Sequence, residues 1–412
     1  MKICHAANFL PGFHKIWGGA EQACYLILDL LTKNRQEVSV LSTEPIETPK
    51  EDFAFYPLPV LGTFFGRGWP RSWLSFDPRV YRHSYRLLKK IKPDVLHLHN
   101  IDILSFALVL SAKRLGIPVL YSVYDYWCVC PNRILVDNNR DTCRRYQGPY
   151  CSVCVGYKKY AALFRKSFFN HIFKKIDAFI VLSEFAAGIL QAYGIKREKI
   201  RVIYLPLFQE VDVQSDRVED NTVLYVGWSL PHKGIDIALQ AMSKVVEKIP
   251  QARMWIIETG KGDIGGLIKR YGLEGCVTLL GKLPHNSVKD YLQRCSVVVI
   301  PEQWENVGPL FLAEAMNFAK PIVASSIGAI SEFITDGESG FLVEPKDPGL
   351  FAERIIRLLK NRDSAIEMGK SAQEGARRFF DKRSALERLL ALYQEKADKI
   401  PRSETVKTSC VV

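Results

Sequence analysis

The chain carries eleven short apolar runs, and helical patterns recur between them. The first set is MKICHA (1–6), EVSVLS (37–42), DVLHLH (94–99), PVLYSV (118–123), AFIVLS (178–183) and RVIYL (201–205). The second is TVLYVG (222–227), RMWIIE (253–258), VTLLG (277–281), SVVVIP (296–301) and PIVAS (321–325). A strand that reads as a nearly unbroken apolar run is buried on both faces, which is the condition of a parallel sheet. Stretches such as EQACYLILDLLTK and GIDIALQAMSKVVEKI supply the crossover helices. The alternation therefore predicts an α/β chain of doubly wound sheets with helices on both faces.

The pattern lapses once, at 206–221, PLFQEVDVQSDRVEDN, which is polar, acidic and opens on Pro. That divides the chain into an N-terminal domain, 1–205, a linker, 206–221, and a second domain, 222–379. A last helix, about 380–399, follows the final recognised strand and is placed to cross back onto the first domain. Residues 400–412 read as a flexible tail. A length of 412 residues with 48% apolar content suffices for two such cores. No apolar run approaches the roughly 18 residues of a membrane-spanning helix. MKICHAANFL reads as a first strand rather than a secretion signal, so the expectation is a cytoplasmic protein.

The net charge of +12 is uneven. Residues 1–215 hold 29 Lys and Arg against 18 Asp and Glu, which gives +11; the remainder holds 27 against 26, which gives +1. The excess is densest in FFGRGWPRSWLSFDPRVYRHSYRLLKKIK (64–92), with eight basic residues, one acid and seven aromatics. Arg67, Arg71, Arg79 and Arg82 thus mark a candidate surface for an anionic membrane or acceptor. The plainer alternative is a solvated loop and a helix that turns Tyr81, Tyr85, Leu88 and Ile91 inward. No nucleic-acid-binding motif accompanies the charge, so no nucleic-acid partner is expected.

Three loops carry candidate chemistry. WGGAEQA (17–23) follows the first strand, and its Gly pair opens a helix whose free N–H groups suit an anion. YVGWSLPHKG (225–234) ends a strand at Gly227 and sets Lys233 before a helix, where it can meet a diphosphate as a point charge. PEQWENVGPLFLAEAM (301–316) places Pro309 at the first turn of a helix, so the positive end of that helix faces the loop. Glu314 lies too deep in the helix to cap it; flanked by apolar residues, it needs a partner. A ribose diol is one candidate and a salt bridge to a neighbouring strand the other. Glu302 reads as a solvated loop residue.

These stretches, with DVLHLHN, YSVYDYW, IVLSEF and IGAISEFITDGESGFLVEPKD, resemble glycosyltransferase family 4, retaining enzymes of the GT-B architecture. The resemblance covers nearly the whole chain. It implies two Rossmann-like domains facing across a cleft, with the nucleotide sugar on the second and the acceptor on the first. It also implies roles. Lys233 would bind the donor diphosphate, Glu305 the donor sugar, Glu314 the ribose, and Gly19 would approach the diphosphate from the other domain. Gly227 and the backbone of Asn306, Val307 and Gly308 would complete the donor site. Catalysis would rest on Glu305, Lys233 and Tyr124.

The chain departs from the family at three places. Eight residues separate Glu305 from Glu314 where seven are usual, with Gly308 and Pro309 at a place normally filled by one. Trp228 stands where an Arg is common, and Tyr124 stands where a His is common. The last two motivate a rival reading, a sugar-nucleotide-binding or assembly protein that has lost transfer. A nucleotide-sugar epimerase of the same architecture is a further alternative.

The leading expectation is a retaining hexosyltransferase that moves a sugar from a nucleotide-diphosphate donor to a lipid-linked or polysaccharide acceptor. It would act in cell-surface glycan biosynthesis, peripheral to the inner face of the membrane, and would need no cofactor for catalysis. Five of the ten cysteines fall in 128–154. Cys130, Cys143, Cys151 and Cys154 have the makings of a four-thiolate structural zinc site, and reduced or disulfide-bonded cysteines are the alternative.

Overall fold

The computed structural model describes residues 1–15, 18–47, 51–60, 76–155, 159–209, 211, 218–258, 260 and 262–399. Arg67, Arg71 and the tail 400–412 lie outside the described residues. The first domain contains β1 (Lys2–Ala6), β2 (Glu37–Ser42), β3 (Ala54–Pro57), β4 (Val95–Leu98), β5 (Val119–Val123), β6 (Ala178–Val181) and β7 (Ile200–Val202). The second contains β8 (Thr222–Gly227), β9 (Arg253–Glu258), β10 (Val277–Gly281), β11 (Val297–Ile300), β12 (Ile322–Ser325) and β13 (Phe341–Val343). Strand order is β3-β2-β1-β4-β5-β6-β7 in one sheet and β10-β9-β8-β11-β12-β13 in the other. All pairings are parallel. The doubly wound α/β fold expected from the apolar runs is the fold present.

Two strands lacked that signal. β3 is a sheet edge with the burial of a surface strand, and it ends on Pro57, whose missing N–H is tolerated only at an edge. β13 has three residues and is also an edge. Strands central to the sheets, such as β5 and β12, are buried along their whole length.

Both sheets bury both faces. Leu96, Leu98, Phe106 and Phe169 fill one face of the first sheet; Ile3, Leu28 and Val40 belong to the core on the other. Helix Lys382–Asp398 closes that second core with Leu389, Leu392 and Tyr393, although it follows the second domain in sequence. The Tyr393 hydroxyl and His97 Nδ1 share a 2.7 Å hydrogen bond, which pins the helix to the end of β4.

The basic helix Pro78–Ile91 buries Val80, Ser84 and Leu88. Tyr81 and Ile91 only partly cover the core, and Tyr85 stacks on Tyr81 at 6.4 Å. Arg79 and Arg82 are exposed. Among the described residues, no helix is long and apolar enough to cross a membrane.

Strand order reverses between β1 and β4 in one sheet and between β8 and β11 in the other. In open parallel sheets the crevice beyond the strands' C-terminal ends at such a reversal is where ligands bind. The loops after β1, β8 and β11 leave from these two points and meet.

Candidate active site

The loops enclose a cleft of about 320 Å³ between the domains. Gly18, Gly19, Tyr124 and Leu182 line it from the first domain, and Gly227, Trp228, Lys233, His285, Asn306 and Glu314 from the second. The domains also touch directly at its edge. Ser183 Oγ donates to the Val307 carbonyl at 2.7 Å, and Gly308 sits against Leu182. Gly308 has φ of +144°. The chain thus absorbs the additional residue between Glu305 and Glu314 in a conformation that L side chains avoid.

Lys233 ends a short 3₁₀ turn. Its Nζ donates to Glu302 Oε1 at 2.7 Å and lies 5.1 Å from the centre of the Trp304 ring. Glu302 is therefore not a solvated loop residue. It is buried, and its carboxylate holds the one cation that the β8 loop sends toward the cleft. The reason is geometric: Gly234 has φ of +72°, and a Cβ there would fall 1.7 Å from the Pro301 carbonyl oxygen. That contact locks the Lys233 loop onto the start of the Glu302 loop.

Helix Leu310–Asn317 begins one residue later than expected, with Pro309 as its N-cap and no side-chain cap. Its first N–H groups have no intrahelical acceptors and face the cleft region with the positive end of the helix dipole. Beside it, Asn306 is 2% exposed, and neither its Oδ1 nor its Nδ2 has a partner. A buried amide without protein partners is costly, which makes it a candidate for hydrogen bonding to a ligand or an ordered water.

The two remaining glutamates have different neighbours. Glu305 is paired through both carboxylate oxygens with the two terminal nitrogens of Arg144, from the first domain. Glu314 is buried on the cleft wall, with His285 Nε2 at 3.3 Å from Oε1. Its partner is thus a helix residue and not a strand residue. Burial pushes the Glu314 carboxyl up to about 7, against a smaller opposing pull from Lys289. Burial also lowers the His285 pKa, and Lys289 adds to this, so His285 is a weak counter-ion.

On the opposite wall, Gly19 begins helix Gly19–Lys33 and packs 3.8 Å from Leu310 Cβ, measured from an ideal Cβ on the glycine. Glu21 closes that helix end by accepting from Gly18 N–H at 2.8 Å. Trp228 stands against Gly18 across the cleft. Tyr124 turns its ring to the cleft, while its hydroxyl shares a 2.9 Å bond with His99 Nδ1. His99 Nε2 in turn shares a 2.9 Å bond with His5 Nδ1. His5, His97 and His99 are the group whose metal-capable atoms converge among the described residues. Burial lowers the pKa of all three; His99 and His5 extend a hydrogen-bond chain from Tyr124, and His97 packs beside them with its own bonds to Tyr393 and Ser122.

Cys130, Cys143, Cys151 and Cys154 are free thiols in one neighbourhood, and burial raises the pKa of Cys130, Cys151 and Cys154. A tetrahedral Zn–S site needs sulfurs about 3.8 Å apart. Among the described residues, no three of these sulfurs lie within 4.8 Å of one another.

Arg144, His285 and Trp304 escaped the sequence reading. Arg144 meets Glu305 across 161 positions, and no local pattern announces such a contact.

Comparison with known proteins follows the same two-domain division. The model described as Glycosyltransferase Family 4 matches residues 17–207, and that described as Glycosyl transferases group 1 matches residues 209–375. An uncharacterised glycosyltransferase of Methanocaldococcus jannaschii is 27% identical over 214 residues, 52% of this chain and 58% of that protein. The match thus spans less than two thirds of that relative. The fold is similar to sucrose-phosphate synthase from Thermosynechococcus elongatus, with a TM-score of 0.75 at 20% identity over 96% of this chain and 98% of the other. It is also similar to HepE of Anabaena in complex with UDP-glucose, with a TM-score of 0.71 at 16% identity over 96% of this chain and all of the other.

Proposed function

The chain belongs to glycosyltransferase family 4, with the GT-B fold, and from that premise we propose that it moves a hexose, with retention, from a nucleotide-diphosphate sugar to a lipid-linked or polysaccharide acceptor. The observation that carries this reading is the convergence on one cleft of an uncapped helix N-terminus, Lys233 and the unpartnered Asn306 amide. Together they supply N–H groups and positive charge for a diphosphate.

In this reading Lys233 and the helix N-terminus neutralise the diphosphate as the glycosidic bond breaks. Glu302 positions Lys233. Glu314 accepts hydrogen bonds from the ribose hydroxyls, and Glu305 from the sugar hydroxyls. Gly19 and Gly227 let backbone approach the diphosphate. Tyr124 shapes the sugar pocket from the acceptor side. The acceptor hydroxyl attacks the face that the diphosphate leaves and passes its proton to a donor phosphate oxygen. The charge on the leaving group is met by protein groups, so no step is routed through a metal.

The basic helix Pro78–Ile91, with Arg79 and Arg82 exposed, supports an anionic surface or acceptor on the first domain. We place the protein at the inner face of the cell membrane, acting in surface-glycan synthesis.

HepE was solved with UDP-glucose, which makes UDP-glucose the first donor to test. Release of nucleoside diphosphate from a panel of UDP-, GDP- and ADP-sugars, with and without lipid-linked acceptor, tests the reading. Turnover supports it. Tight binding without turnover in any combination favours a sugar-nucleotide-binding protein instead.

A further inference from the structure

Three helices cover one face of the first sheet: Pro78–Ile91, Ala107–Arg114 and Lys159–Lys175. Leu88, Val109 and Phe173 anchor them in the same core. The Ser84 and Ser111 hydroxyls share a 2.8 Å bond between the first two helices, and Tyr81, Leu110, Arg114 and Lys175 line a groove common to all three. The three helices hold twelve Lys and Arg and no Asp or Glu, and among the described residues eight of the twelve are exposed. Apolar exposure gathers on the same part of the chain. Of the ten large hydrophobic side chains exposed among the described residues, four fall within residues 150–164: Tyr150 at 61%, Val153 at 70%, Leu163 at 50% and Phe164 at 56%. Helix Cys151–Val155, which carries Val153, packs against helix Lys159–Lys175, which carries Leu163 and Phe164.

We propose that this three-helix face docks on an anionic lipid bilayer, with Leu163 and Phe164 as its insertion point. The inference rests on the membrane placement above and extends it from helix Pro78–Ile91 to a helix that supplies an apolar anchor. Along helix Lys159–Lys175, Leu163, Ser167, Asn170 and Lys174 are exposed. They recur every three to four residues, so they form one stripe, apolar at its start and cationic at its end. Arg165, Phe169, Ile172 and Phe173 are buried and take up the opposite, core-facing side. Phe164 stacks on Phe168 at 6.3 Å, which holds its ring on the helix surface. An exposed Leu–Phe pair is unfavourable in water and favourable at the boundary of the acyl chains, while neighbouring Lys stems reach back to the headgroups. The charge excess draws the face to anionic phosphates, an attraction that salt screens. A nucleic acid would meet the cations, but it offers no apolar phase for Val153 and Leu163.

The test uses the full chain and its L163S/F164S and K166A/K174A variants. Co-sedimentation over a salt series measures binding to vesicles of phosphatidylcholine alone and of phosphatidylcholine mixed with phosphatidylglycerol. Wild type is expected to bind the mixed vesicles and not phosphatidylcholine alone. L163S/F164S is expected to weaken that binding about tenfold or more, with a deficit that persists at high salt. K166A/K174A should weaken it at low salt, with a deficit that shrinks as salt rises. Release of nucleoside diphosphate with a short-chain, water-soluble acceptor should be the same in L163S/F164S and wild type; a loss there ties the pair to the cleft and overturns the inference. L163S/F164S that sediments like wild type, or whose deficit vanishes at high salt, also overturns it. Wild type that does not bind the mixed vesicles overturns the membrane placement beneath it, a distinct result. All four substituted side chains are exposed, and melting temperatures of both variants check that they fold.

Discussion

Glu314 holds its proton to about 7 in the folded chain and near its ordinary 4.5 when unfolded, because burial disfavours its charge. Between those values the folded chain binds more protons than the unfolded one, so this group's contribution to stability falls as pH rises. E314Q removes that effect. The melting temperature of E314Q relative to wild type should therefore rise between pH 5 and pH 8; a flat difference contradicts the assignment. The ionised form accepts more strongly from ribose hydroxyls than the protonated one, so affinity for UDP-glucose, whose diphosphate stays ionised, should weaken as pH falls below about 7. E314Q should abolish that dependence along with most of the affinity. Lys233 gives a second prediction at this scale. K233A should lower turnover by about 10² to 10³, and E302Q should produce a smaller loss because it frees Lys233 without removing its charge. Equal turnover in E302Q and wild type removes Glu302 from the site. The carboxylates differ in how far they could be read from sequence. The depth of Glu314 in its helix showed that it needed a partner. Glu302 looked like an ordinary loop acid, because its burial depends on Lys233, which lies 69 positions away.

Among the elements, the loop after β8 and the loop after β11 act as one unit, joined where Gly234 meets the Pro301 carbonyl. G234A has no room for its Cβ and demands a positive φ, and it should destabilise the chain by about 3 kcal/mol or more. Chemical denaturation measures this, and a loss under about 1 kcal/mol shows that the two loops can move apart. Periodicity revealed the buried strands, because parallel pairing with helices on both faces requires unbroken apolar runs. It missed β3 and β13, which are short edge strands that need no such run. Gly308 was legible only as one residue too many. Its φ of +144° shows that the surplus is taken up locally. The cysteine hairpin was visible as a cluster, but the pairing of its Arg144 with Glu305 of the second domain was not. In the proposed reading, helix Pro78–Ile91 belongs to the acceptor or membrane surface. Removing Arg67, Arg71, Arg79 and Arg82 together should lower binding to anionic liposomes, measured by co-sedimentation, and unchanged binding and turnover rule out the membrane reading.

For the whole molecule, the division of labour follows from two sheets whose reversal points face each other. The cleft needs both domains. Gly19 and Tyr124 come from one, Lys233 and Glu314 from the other, and helix Lys382–Asp398 ties the end of the chain back to the first. The central claim is that the cleft holds a nucleotide sugar and transfers its sugar. The most direct measurement is mass-spectrometric analysis of the purified full chain incubated with UDP-, GDP- and ADP-sugars and a lipid-linked acceptor. The account predicts a glycosylated acceptor with the anomeric configuration of the donor, formed together with one equivalent of nucleoside diphosphate, and lost in K233A. Formation of an epimerised nucleotide sugar, or an inverted glycoside, would contradict it.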